Sequence, residues 1–243
     1  MSFAADIKVL WHLAVAPTRG ETHAERLESF YGGQADAYDD FRARLLPGRE
    51  ELFAALPAPE HGVWVDMGGG TGRNLECLGN RLSRLGKIYV VDLAPSLLEV
   101  ARRRVADHGW TNVETIAADA TRFEPPAGQA DVVTFSYSLT MIPDWFAAIE
   151  QAWRILRPGG VIGVVDFYVS RKHPQTDRAR HSWATRHFWP AWFGYDNVFP
   201  HPDHLPFLER RFAPREIIER TAKLPYLPLV RAPYYIFVGE KRG

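Results

Sequence analysis

The residues with the clearest chemical potential are seven consecutive ones, Asp66-Met67-Gly68-Gly69-Gly70-Thr71-Gly72, set between an apolar run and a helix-compatible stretch. Glycines at 68, 70 and 72 permit a tight turn and let bare backbone N–H groups approach a ligand closely. Two further acids follow: Asp92, 20 residues beyond Gly72, and Asp119. A carboxylate at the end of a strand takes two hydroxyls of a ribose, and grouped acids also favour a cation. A dinucleotide-binding turn is the competing reading. It requires G-x-G-x-x-G, and counting from Gly68 puts Arg73 where the third glycine belongs.

Parallel strands that end side by side would bring such acids together. Val63–Asp66, Ile88–Asp92, Val113–Ala118, Asp131–Tyr137 and Val161–Phe167 read as strands, with helices over Arg73–Leu85, Ser96–His108 and Trp145–Leu156. That alternation predicts an α/β fold with a mainly parallel sheet covered on both faces. Residues 1–60 read as a helical cap of three segments, 61–170 as the ligand-binding core, and 171–214, rich in aromatics, histidines and prolines, as a lid insertion. Residues 215–243 complete the core, with a helix over Arg215–Ala222 and an antiparallel pair, Leu224–Val230 and Tyr234–Glu240.

With these positions in hand, the chain resembles class I S-adenosylmethionine-dependent methyltransferases. Asp66–Gly72 is similar to their first motif, Asp92 to their ribose carboxylate, Asp119-Ala120 to their adenine-binding position, and Leu156-Arg157-Pro158-Gly159-Gly160 to the turn before the fifth strand. The resemblance implies a Rossmann-like seven-stranded sheet with an antiparallel C-terminal strand, and S-adenosyl-L-methionine as cofactor. It also implies cofactor contacts from Asp66, Gly68, Gly70, Gly72, Asp92, Leu93, Asp119, Ala120 and Ser136. Tyr38 would cover the cofactor and Arg49 would hold its methionine carboxylate, with Arg42 a rival.

A narrower resemblance lies at the two flanks. Residues 23–39, including Phe30-Tyr31-Gly32-Gly33-Gln34-Ala35, with Phe41 to Arg49, resemble the methyltransferase part of betaine-lipid synthases, as does Trp189-Pro190-Ala191-Trp192-Phe193 through His201-Pro202. Those enzymes add three methyl groups to the amine of diacylglyceryl homoserine. The fused synthases also carry a domain that makes the acceptor lipid, for which 243 residues leave no room. A separate enzyme is therefore expected to supply it and to be a contact partner.

N-methylation asks for little acid–base apparatus, because an α-amino group with a pKa of about 7.7–8.0 is already on the order of 10% neutral at pH 7. Arginine suits the acceptor carboxylate, and aromatic faces suit the quaternary ammonium product. Tyr31, Tyr137 and His204 are the catalytic candidates, His187 a rival base; Arg42, Tyr168, Trp189, Trp192 and Tyr195 are the substrate candidates. Each aromatic also has an ordinary core-packing reading. His201-Pro202-Asp203-His204 lacks a third ligand fixed by spacing, so no metal is expected. Cys77 reads as a packed small residue. Phosphatidylethanolamine, a soluble amine and a quinone ring carbon are alternative acceptors, and an inactive methyltransferase-fold binding partner is the alternative of a different class.

Composition sets the outer bounds. Lys plus Arg equals Asp plus Glu at 29 each, which argues against nucleic acid as partner, and one cysteine excludes an intrachain disulfide and suits a reducing compartment. The neutral total conceals an asymmetry: residues 171–243 carry 13 basic and 7 acidic side chains, the remainder 16 and 22. A cytoplasmic protein is expected, with peripheral contact at the inner membrane face and a membrane lipid as acceptor. Phe3, Ile7, Leu10, Trp11 and Ala14 share one face of a helix, which serves either internal packing or lipid contact.

Overall fold

The computed structural model describes Thr22, Glu25, Glu28 and residues 46–242 apart from 195, 196, 225 and 226. The first two expected N-terminal helices, the amphipathic face included, otherwise lie outside the described residues. Thr22 and Glu25 exchange two hydrogen bonds of 3.2 Å between side chain and backbone N–H, the reciprocal arrangement that opens a helix.

From residue 46 the elements run α1 (Arg49–Ala55), β1 (Val63–Met67), a 3₁₀ segment (Arg73–Arg84), β2 (Lys87–Asp92), α2 (Pro95–Asp107), β3 (Val113–Ala117) and β4 (Ala130–Ser136). A short 3₁₀ turn (Leu139–Met141), α3 (Trp145–Ile155), β5 (Leu156–Phe167), α4 (Trp183–Gly194), α5 (His204–Arg211), β6 (Ala213–Leu224) and β7 (Leu227–Glu240) follow. The seven strands form one sheet in the order β3-β2-β1-β4-β5-β7-β6. β1 lies parallel between β2 and β4, so the strand order reverses there, where open α/β sheets bind ligands at the carboxyl ends of their strands. β7 is antiparallel to both β5 and β6, as the expected Rossmann-like sheet requires.

Alternation along the strands divides the interior in two. Trp64 joins Leu52, Val90, Leu98 and Trp189 on one face, and Val65 joins Tyr89, Phe135, Ile149 and Phe237 on the other. Phe53 of α1 stacks on Trp64 at 5.6 Å, which seats that helix on the first face.

Three expected elements differ. The helix over Arg73–Leu85 is a 3₁₀ segment interrupted at Gly79, whose φ of 52° cannot continue a right-handed helix. Arg215–Ala222 is not a helix but the centre of β6, paired with β7 from Ala213↔Glu240 to Leu224↔Leu227. Its Glu, Arg, Ala and Lys are good helix formers, but long-range pairing, which puts Ile217 opposite Phe237, overrides that preference. The break expected at Arg231-Ala232-Pro233 is absent too, because β7 runs through it.

The aromatic stretch 171–214 holds α4 and α5. Trp189 and Phe193 are buried, and Phe193 stacks on Phe167 at 4.7 Å, which fastens α4 to the end of β5. Among the described residues, no helix is long and apolar enough to cross a membrane.

Candidate active site

The glycine turn leaves β1 and is held from beneath. Gly68 and Gly69 both donate to the Val91 carbonyl, at 2.8 and 3.0 Å, and Gly70 donates to Asp92 Oδ2 at 2.9 Å. Gly68 has a φ of 67°, and a Cβ there would stand 2.5 Å from that of Ser138. Gly70, with φ of 55°, differs: a Cβ would lie 3.6 Å from Leu97 and 3.9 Å from Asp92 Oδ2. It would occupy the open space between them, and that space is the cavity.

The cavity has a volume of about 430 Å³, within the range of about 300–1,000 Å³ typical of small-molecule sites. Gly68, Gly70, Asp92, Leu93, Asp119, Ala120 and Tyr137 of the sequence candidates line it. The Asp92 carboxylate is oriented by two backbone donors, Gly70 to Oδ2 and Ala94 to Oδ1, each 2.9 Å. Asp92 lies on the cavity wall, where a carboxylate suits a diol. Asp119 Oδ1 accepts the Thr121 backbone N–H and hydroxyl, both at 2.8 Å, which fixes the second acid at the wall. Leu97, Ala118 and Ile142 supply apolar surface between the two acids and the far end. A glycine cradle, two aligned carboxylates and an apolar slab suit a donor that carries a ribose, a flat base and a positive sulfonium.

The far wall was only partly legible beforehand. Ser138, Met141, Ile142, Pro143 and Asp144 line it, yet only Tyr137 was expected there. Tyr137 sits at φ 54°, donates its hydroxyl to the Pro47 carbonyl at 2.6 Å, and lies 4.8 Å from the Phe167 ring. Burial pushes its phenol well above the ordinary value, so the hydroxyl stays protonated near neutral pH. Two contacts brace this wall from outside. The buried Asp166 carboxylate accepts from the Thr140 hydroxyl at 2.7 Å and its backbone N–H at 3.1 Å, and Phe199 N–H donates to the Thr140 carbonyl at 2.8 Å.

Several expected site residues are elsewhere. Asp66 is fully buried, its oxygens taken by Asn74 (3.0 Å) and Thr134 (2.7 Å), and burial raises its pKa to about 6. It holds the turn to its neighbours and does not face the cavity. Gly72 begins the 3₁₀ segment and packs against Ala101 of α2. Arg49 donates to Ser136 Oγ at 3.2 Å; this contact ties α1 to the end of β4, and neither residue is on the cavity wall.

His204 is inaccessible beneath the Trp145 ring, 4.8 Å away, and burial lowers its pKa to about 3. It lies off the cavity and is neutral near pH 7, yet no amine can reach it. Tyr168 donates its hydroxyl to Glu219 at 2.6 Å in a separate small crevice. Trp189 is core, and Trp192 is exposed and stacked on Phe188. Tyr31, Tyr38, Arg42 and Tyr195 lie outside the described residues. Glu28, from the same N-terminal block, accepts from the Ser96 hydroxyl and N–H at 2.9 and 3.2 Å, placing a carboxylate at the start of α2 beside the cavity. Among the described residues, no three acids, histidines or cysteines are grouped to share a metal.

Comparison with known proteins completes the picture. Residues 65–160 match the family of methyltransferase domains. The ubiquinone/menaquinone biosynthesis C-methyltransferase UbiE of Hahella chejuensis is 28% identical over 159 residues, which cover 63% of each chain. The match thus spans less than two thirds of that relative's length. Two solved structures share the fold: a putative methyltransferase from Bacillus halodurans (TM-score 0.62, 18% identity, 81% of this chain and 98% of that one) and the [4+2]-cyclase SpnF (TM-score 0.66, 16% identity, 93% and 99%).

Proposed function

We propose that this chain, which carries a class I methyltransferase domain with S-adenosylmethionine as methyl donor, is an N-methyltransferase of a membrane lipid. The acceptor is the amine of diacylglyceryl homoserine, methylated three times to diacylglyceryl trimethylhomoserine. The observation that carries an amine acceptor is the composition of the cavity wall. Among the described residues it includes three acids, Asp92, Asp119 and Asp144, against one cation, Arg122, and no histidine, cysteine or lysine. Such a wall favours a sulfonium donor and a cationic product and provides no strong base, so the ammonium formed in each of the first two transfers gives its proton to water before the next attack, and the attacking species is the neutral fraction of the amine.

The donor would lie with its ribose on Asp92, its adenine between Asp119, Ala120 and Leu97, and its methionine part along Gly68 and Gly70. The sulfonium methyl would then face the Tyr137–Asp144 wall, where the amine attacks in line. The lipid identity rests on the flanking blocks at residues 23–49 and 189–202. Their resemblance to betaine-lipid synthases also supports contact with the enzyme that makes the acceptor.

The similarity to a ubiquinone/menaquinone C-methyltransferase favours a second reading, methylation of a quinone ring carbon. One experiment separates the two. Protein and methyl-labelled donor are incubated with diacylglyceryl homoserine, phosphatidylethanolamine or a demethylated quinone, and products are read by mass spectrometry. The lipid reading expects mono-, di- and trimethylated homoserine lipid; label on a ring carbon establishes the second reading, and an unmethylated homoserine lipid overturns the first.

A further inference from the structure

The outer face of α4 exposes large aromatic side chains that the donor site does not use. Trp183 is 71% exposed, Phe188 42% and Trp192 47%, and Phe199, just beyond the helix, 55%. The opposite face is fixed, because Trp189 and Phe193 are buried and Phe193 is stacked on Phe167. The apolar surface is thus presented on a rigid support, and the helix cannot turn it inward. Phe188 and Trp192 stack on each other at 5.7 Å, and Trp183 lies 4.7 Å from His187 nearer the start of the helix; exposed aromatics of this kind mark an interaction surface.

Charge identifies the occupant. Between Asp177 and Asp196 there is no acidic residue, while Arg178, Arg180 and Arg186 fall in that interval. Arg178 is matched by Glu209 and Asp177, and Arg171 by Asp203. Lys172 and Arg180 are exposed in the two segments that the paired Ser170 and His181 hold together, and His173 and His187 are exposed as well. Aromatic side chains that settle at the headgroup level, flanked by cations, fit the interface of an anionic bilayer. Phe199 adds the link to function, since its N–H is bonded to Thr140 within the segment that forms the acceptor wall.

We propose that the outer face of α4, with Phe199, Lys172 and Arg180, docks this protein on an anionic lipid bilayer. The aromatic rings enter the interface, the cations meet the headgroups, and the acceptor wall is carried close to the bilayer. The choice of a bilayer rests on the lipid acceptor proposed above, but the test does not use turnover.

Flotation of the protein with vesicles of phosphatidylcholine alone, and of equimolar phosphatidylcholine and phosphatidylglycerol, reads the binding directly. The wild type should bind the mixed vesicles far more strongly. Arg180→Glu and Trp183→Ser should each weaken that binding by roughly tenfold, while affinity for S-adenosylhomocysteine and the melting temperature stay unchanged. Absent binding, equal binding to both vesicle types, or binding indifferent to both substitutions overturns the proposal. So does a concentration-dependent dimer that Trp183→Ser abolishes, because a second copy would then be the occupant. Vesicle binding as expected with no homoserine lipid methylated would refute the acceptor and leave the docking surface standing.

Discussion

Asp92→Ala is the sharpest test of the donor site, because its effect divides into parts that ligand chemistry can separate. The carboxylate holds the Gly70 and Ala94 N–H groups at 2.9 Å each and, in the proposed pose, both ribose hydroxyls. A hydrogen bond to a charged group contributes about 1.5–3 kcal/mol, so even one net bond lost should weaken S-adenosylhomocysteine by roughly ten- to 150-fold. Loosening of the turn would weaken any ligand, so the bare loss is ambiguous. The 2′-deoxy analogue resolves it, since it lacks one of the two hydroxyls. By titration calorimetry the wild type should bind the parent about tenfold more tightly than the analogue, and Asp92→Ala should bind both alike. A variant that still discriminates as the wild type does would show that the ribose lies elsewhere, and the pose would be wrong.

Other expectations concern the turn, the wall and the buried acids. Gly68→Ala places a Cβ against that of Ser138 in addition to its positive φ, and should destabilise by about 2–4 kcal/mol. Gly70→Ala meets no such clash, and should cost only about 1–2 kcal/mol in denaturant unfolding while sharply reducing donor affinity. Tyr137→Phe leaves the Pro47 carbonyl without its donor and should lower stability by about 1–3 kcal/mol, yet the pH–rate profile should not move; a lost basic limb would make the phenol an acid–base group. Burial raises Asp166 to about 7, above an unfolded value near 3.8, so the folded state binds the extra proton. Its contribution is therefore most favourable below about pH 4, declines as pH rises, and levels off above 7. His181, His201 and the buried His204, whose pKa values desolvation lowers, work in the opposite sense over part of that range, so the measurement is the stability of wild type relative to Asp166→Asn. A relative stability that rises with pH across this window would contradict the sign.

The cavity around the glycine turn was legible because it is local. Asp92 closes a strand with a clear apolar pattern, Asp119 follows the next strand by two residues, and the glycine turn is defined by seven adjacent residues, so the sheet only had to bring strand ends together. The residues expected to meet an acceptor do not gather at that cavity, for the opposite reason. His204 looked usable until Trp145, 59 positions earlier, was found to cover it, and Tyr168 until Glu219 claimed its hydroxyl. Asp66 carried the right motif for a contact, but burial between Asn74 and Thr134 made it a support for the turn. The β6 error has the same origin: residues 213–224 acquire their form from β7, which no local window contains.

The position of β7 sets an order on the making of this protein. It is the last strand in sequence, yet it lies inside the sheet, between β5 and β6. While the chain emerges from the ribosome, β5 therefore shows an open edge of Val161–Phe167, and β6 has no sheet to join. The strands that carry the cavity can assemble in that interval, but the sheet cannot be sealed until residues 227–240 arrive. A chain stopped shortly before them would carry every residue that lines the cavity and still present a bare, apolar strand edge, a template for aggregation.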